Sequence, residues 1–125
     1  MKKKLPNKSV PAAVPKEFDR VRELALALPG VEEGTSYGTP AFRVAGKLFA
    51  RLHDNRDSLV IRINEGDRRM RMEADPSAFY ITDHYRNYPW MLIRLANVED
   101  GDLEDLLRDA WGLVAPARLI ERFDA

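Results

Sequence analysis

The sequence predicts a single α+β domain, a mainly antiparallel sheet with helices packed on one of its faces. The elements follow the order helix, strands, helix, strands, helices. Between Ala41 and Ile63 three consecutive strands are joined by loops so short that the strands must be antiparallel neighbours. A chain of 125 residues without cysteine has the size of one domain that can bury its own core unaided.

Residues 1–14 mix Pro6 and Pro11 with small and basic residues and read as a flexible basic leader, leaving 15–125 as the domain. A helix starts at Pro15, a tolerated first-turn position, and Phe18, Val21, Leu24, Ala25 and Leu28 recur at helical spacing before Pro29-Gly30 ends it. Val31 to Gly38 is a weak strand or extended loop. Thr39-Pro40 then leads into a strand over Ala41 to Val44, with Ala45-Gly46-Lys47 as a tight turn and Leu48 to His53 as the return strand. After the polar loop Asp54 to Asp57 comes the clearest strand, Leu59 to Ile63. Asn64 to Ala74 switches to helical spacing, with Met70 and Ala74 expected to point inward and Asp75-Pro76 as the stop.

Phe79 to Leu95 holds three of the four tyrosines, one of the two tryptophans and one of the two histidines. It divides into a strand at Phe79 to Thr82, a turn at Asp83 to Pro89 and a strand at Trp90 to Leu95. Pro89 biases Tyr88 toward an extended conformation. Asp100-Gly101-Asp102 offers capping chemistry to a helix whose stripe is Leu103, Leu106, Leu107, Ala110, Trp111 and Val114. Pro116 opens a last short helix carrying Leu119, Ile120 and Phe123.

Composition narrows the function classes. The lack of cysteine excludes a disulfide framework, a Cys zinc site and a thiol nucleophile, and it agrees with a reducing, cytoplasmic location. No run approaches the roughly 18 apolar residues of a membrane span. Lys2 to Lys4 are followed by Leu5-Pro6-Asn7-Lys8 and not by the apolar stretch of a signal peptide. Net charge is zero, yet residues 1–16 carry five lysines and no acid, so the remaining 109 residues have a net charge of −5. Such an arm neutralises phosphates or is simply a solvated tail.

Sorted by element, charge is uneven. The strands at 41–52, 58–63 and 90–95 contain Arg43, Lys47, Arg51, Arg62 and Arg94 and no acid. Alternation places Leu59, Ile61 and Ile63 on one face with Met91, Ile93 and Leu95, and sets Arg43, Arg62, Trp90 and Arg94 opposite, with Tyr80 or its neighbours. Cations beside aromatic planes suit a nucleic-acid surface. Arginine with its long apolar stem also suits the wet face of any half-solvated sheet.

His53 and His84 are the only imidazoles, 31 residues apart, and no zinc or EF-hand spacing surrounds them. No metal or other cofactor is expected. Asp83-His84 is not a dyad, because neighbouring side chains of extended backbone diverge. Gly30, Gly34 and Gly38 fit neither a P-loop nor a dinucleotide fingerprint.

Leu28 to Glu33 (LPGVEE), Tyr37 to Phe42 (YGTPAF) with Gly46 to Ala50 (GKLFA), Tyr85 to Leu95 (YRNYPWMLIRL) and Leu106 to Trp111 (LLRDAW) together resemble the MmcQ/YjbR family over residues 17–123. The resemblance implies a frataxin-like or "double wing" α+β fold and a DNA-binding role, the latter assigned by fold analogy. His84-Tyr85 and Tyr88-Pro89 depart from the pattern of many relatives and mark a subgroup.

The leading expectation is a domain without catalytic activity that binds DNA or another nucleic acid through the sheet face and adjoining loops. Arg43, Lys47, Arg62 and Arg94 would meet phosphates, Trp90 and Tyr85 would stack, and Thr39 and His84 would supply hydrogen bonds. The alternative is a small-ligand or enzymatic pocket formed by Tyr37, Thr39, His84, Tyr88 and Trp90. A protein-interaction module using the same aromatic patch is the third.

Overall fold

A computed structural model describes residues 14–124. The basic leader lies, but for Val14, outside the described residues. The elements are α1 (Phe18–Leu26), β1 (Val31–Ser36), β2 (Thr39–Val44), β3 (Lys47–Leu52), β4 (Ser58–Arg62), α2 (Glu65–Ala74), β5 (Phe79–Tyr80), β6 (Trp90–Arg94), α3 (Asp100–Val114) and α4 (Ala117–Asp124). The strands form one six-stranded sheet in the order β1-β2-β3-β4-β6-β5, antiparallel at every pairing. Among the described residues β1 and β5 are its two edges.

One face of the sheet carries the main core. Phe42, Phe49, Leu59, Ile61, Met91 and Ile93 point into it, and Phe18, Val21, Leu103, Leu107 and Trp111 meet them from α1 and α3. The expected stripes of both helices therefore face inward, because 3.6-residue spacing gathers those side chains on one side. Phe18 stacks on Phe42 with ring centroids 5.8 Å apart. The Trp111 indole donates to the Pro29 carbonyl at 2.9 Å, which ties α3 to the end of α1. There Gly30 adopts φ +74°, and a side chain at this position would lie 2.7 Å from Leu119 of α4. Among the described residues no helix is long and apolar enough to cross a membrane.

Three local expectations change. In α2, Met70 and Ala74 are exposed, whereas Met72 packs against the core and Arg68 and Arg71 are half-buried. The helix buries no residue fully, so its inward side is set by what the arginines bond rather than by an apolar stripe. Helix α3 begins at Asp100 with Glu99 before it and no side-chain cap. Asp100 and Asp102 occupy the first turn, where a carboxylate favours the positive end of the helix. Lastly, strand pairing stops at Tyr80, because the following segment leaves the sheet edge.

That segment covers part of the face opposite the helices. A short 3₁₀ turn at Asp83–Tyr85 brings Tyr85 down onto Val60 and Leu92 as a second, smaller cluster. Tyr80, Ile81 and Trp90 pack around it. The alternation that points Arg43, Arg62 and Arg94 away from the core holds, but the surface between them is not an open plane.

Candidate functional site

Between the folded-over segment and the sheet lies a cleft of about 590 Å³, lined by Tyr37, Leu48, Arg51, His53, Asp54, Val60, Thr82, His84, Tyr85, Tyr88 and Trp90. That volume is the scale of a small-molecule site. Its inner residue is Arg51 of β3, which pairs with Ala41 on one side and Val60 on the other. A register shift at Phe42/Arg43 lets Phe49, Ala50 and Leu52 all join the core while Arg51 faces the cleft.

The Arg51 side chain is 8% exposed. Its Nη2 donates to the Tyr85 hydroxyl at 3.0 Å. Its Nη1 donates to the Leu52 carbonyl at 3.2 Å and makes longer contacts, at 3.4 Å, to Thr39 Oγ1 and Asp54 Oδ1. The Tyr37 ring lies over the guanidinium at 5.2 Å, within cation–π range.

Tyr37 stands on the β1–β2 turn with φ +54°, followed by Gly38 at +79°. Two successive positive φ values match the right-handed twist of a hairpin. Glycine adopts that conformation freely, but tyrosine does so at a cost of about 1–2 kcal/mol. Tyr37 is 85% exposed, and its ring overhangs the cleft. Thr39, next along, is buried; its hydroxyl donates to the Ser36 carbonyl at 2.9 Å and sits behind Arg51.

The opposite wall is the 82–90 segment. His84 stands edge-on to Tyr85 with centroids 4.7 Å apart, and Tyr88 lies 6.4 Å from His84. His53, at the end of β3, accepts from the Asn55 amide at Nδ1, which leaves Nε2 as the protonated nitrogen of its neutral ring. This wall is held from behind by Arg68 of α2. Nη1 donates to the carbonyls of Tyr85, Tyr88 and Trp90 at 3.1, 2.8 and 3.0 Å, and Nη2 donates to that of Arg86 at 3.0 Å.

Of the residues expected to meet nucleic acid, His84, Tyr85 and Trp90 line the cleft and Thr39 lies behind it. Arg62 borders it through Trp90, its guanidinium 5.7 Å from the ring. Arg94 lies at the other end of the paired strands, opposite Ser58, stacked over Tyr80 at 3.9 Å and bonded to the carbonyls of Pro76 and Ser77. Arg43 reaches the Thr35 carbonyl at 3.2 Å near the β1 edge, and Lys47 is exposed where β3 begins. Of the pocket set, Tyr37, His84, Tyr88 and Trp90 converge, again with Thr39 behind. Arg51, His53 and Arg68 were not among the candidates. Arg51 left a trace as a cation between Ala50 and Leu52 in a strand without acids, and His53 as one of the two imidazoles. Among the described residues no three of His, Asp and Glu gather as a metal-ligand group.

The crystal structure of the Deinococcus radiodurans protein DR2400, a DUF419 domain, superimposes with a TM-score of 0.68 at 21% identity, covering 84% of this chain and 80% of that one. Uncharacterized proteins of Mycobacterium bovis and Mycobacterium tuberculosis are 35% identical over 68 residues, which is 54% of this chain. The chain spans about half, 53%, of the length of these curated relatives. Residues 26–113 match the YjbR family model. Every cleft residue falls within that span, and the chain belongs to the YjbR family.

Proposed function

We propose that this domain is a binding module whose cleft receives a small ligand with a planar, apolar part. The observation that carries the reading is the convergence of Tyr37, His84, Tyr88 and Trp90 on one cleft of about 590 Å³ floored by a buried arginine. Aromatic walls bury a flat molecule, and the polar groups among them fix its orientation. Binding rather than turnover is the role proposed, with His53 and His84 as hydrogen-bonding members of the wall.

A screen of planar fragments by two-dimensional amide NMR tests this. Signals from Tyr37, Tyr88 and Trp90 are expected to shift together, and Trp90→Ala to abolish the effect. Fragments that move only signals outside the cleft would overturn the reading.

Nucleic-acid binding is the second reading, favoured by Arg62 lying over Trp90 on the face that also carries Arg43, Lys47 and Arg94. It ranks second because Arg43 and Arg94 already donate to backbone carbonyls and residues 17–125 carry net negative charge. Affinity that falls steeply with salt would support it, and no binding to single- or double-stranded DNA at about 50 mM salt would exclude it.

A further inference from the structure

Resting on the cleft reading above, we propose that Arg51 anchors the carboxylate of a small planar acid, bound as a monoanion with its ring against Tyr37, Tyr88 and Trp90. A guanidinium carries five N–H donors and must find acceptors when it is buried. Nη2 gives one hydrogen to Tyr85, and Nη1 shares its two among three acceptors. The Nε hydrogen and the second Nη2 hydrogen find no acceptor among the described residues. Nε and Nη2 form the side edge of the guanidinium, and a carboxylate matches that edge with both of its oxygens.

Charge selects the class within the anions. Asp54 is the one carboxylate paired with Arg51 among the described residues, at 3.4 Å and itself 68% exposed, so it neutralises the buried cation only weakly. Arg51 is the one Lys or Arg among the lining residues, so the cleft balances a single negative charge. A phosphate monoester, with about −1.5 to −2 charge at neutral pH, is therefore disfavoured against a carboxylate. The Nε2 donor of His53 stands in the same cleft as a further hydrogen bond for a single anion.

The test compares matched ligands on the full chain: benzoate with benzamide, 2-naphthoate with 2-naphthamide, and phenyl phosphate, followed by amide NMR shifts. Each acid is expected to bind at least tenfold tighter than its amide, moving Tyr37 and Tyr85, and Arg51→Gln to bring that ratio to about one. Arg51→Lys, which keeps the charge and loses the paired donors, is expected to reduce the ratio in part. The comparison on the unmodified chain decides the matter even where a variant does not fold. Equal binding of acids and amides would overturn the anchor and leave the cleft reading standing. Phenyl phosphate binding more tightly than benzoate would overturn the monoanion. No binding by either series at about 10 mM, a free energy weaker than that of a millimolar site, would overturn both readings.

Discussion

Arg68 Nη1 donates to the Tyr88 carbonyl at 2.8 Å, a bond from α2 to the cleft wall. With the Tyr85, Trp90 and Arg86 carbonyls it makes one side chain the backing of the whole segment. Arg68→Ala is expected to destabilise the fold by about 2–3 kcal/mol, since hydrogen bonds to a charged group contribute about 1.5–3 each and do not add fully. Urea denaturation measures the loss. Hydrogen exchange should localise it to residues 85–90, and uniform acceleration across the sheet would contradict the clamp. Arg68→Lys should restore only part, because an ammonium cannot reproduce the planar fork.

Tyr85→Phe keeps the ring over Val60 and Leu92 and removes the hydroxyl that accepts from Arg51. Leaving another donor of a buried cation unmatched should cost about 1–2 kcal/mol. A loss near zero in thermal unfolding would show that solvent replaces the hydroxyl at no cost.

Tyr37→Asn should act in opposite directions on stability and binding. Asparagine tolerates positive φ, so the folded state is expected to gain about 1 kcal/mol. The ring over Arg51 is lost, so fragment affinity in the cleft should fall several-fold. Stability that drops with the substitution would mean that the lost cation–π contact outweighs the relieved backbone.

Gly38 and Gly30 share nearly the same conformation, φ +79° and +74°, but differ in surroundings. Gly38 has nothing within 4 Å of an added Cβ, whereas Gly30 meets Leu119 at 2.7 Å. Gly38→Ala is expected to cost about 1 kcal/mol for the left-handed backbone alone. Gly30→Ala should cost measurably more, and the difference in midpoint between the two variants reports the Leu119 contact. Equal losses would mean that α4 yields freely.

The architecture was legible because it follows from local periodicity. Phe42 and Val44 against Arg43, and Leu59, Ile61 and Ile63 against Arg62, read directly as buried and outward sides of strands. The helical stripes of Phe18–Ala25 and Leu103–Trp111 were equally plain. The cleft was legible only as an aromatic set, since Tyr37, His84, Tyr88 and Trp90 are conspicuous residue types. What gathers them was not legible. Tyr85 settles on Val60, 25 residues earlier, through a loop that crosses the sheet, and no pattern within the loop encodes that contact. Arg51 is turned by a register shift that depends on the neighbouring strand. Arg68 bonds to carbonyls, which every residue possesses, so the sequence carries no mark of its partners. In α2 the same effect misdirected Met70, because arginines rather than apolar residues decide which side of that helix faces inward.

The β1 edge carries features that oppose the addition of a second copy. An uncovered strand invites a second copy to add to the sheet. Glu32 pairs across from Arg43, whose side chain points away from the helices, and Glu33 pairs across from Phe42 on the helix side, so each surface of the edge carries a carboxylate. Arg22 binds Glu33 at 2.9 and 3.0 Å, and that hydrogen bond raises the arginine's own pKa. Glu32 is exposed, and a copy docking along β1 would have to desolvate it beside its own equivalent. Two adjacent glutamates thus guard this border, and replacing Glu32 by an apolar residue would turn the margin of the sheet into an adhesive strip.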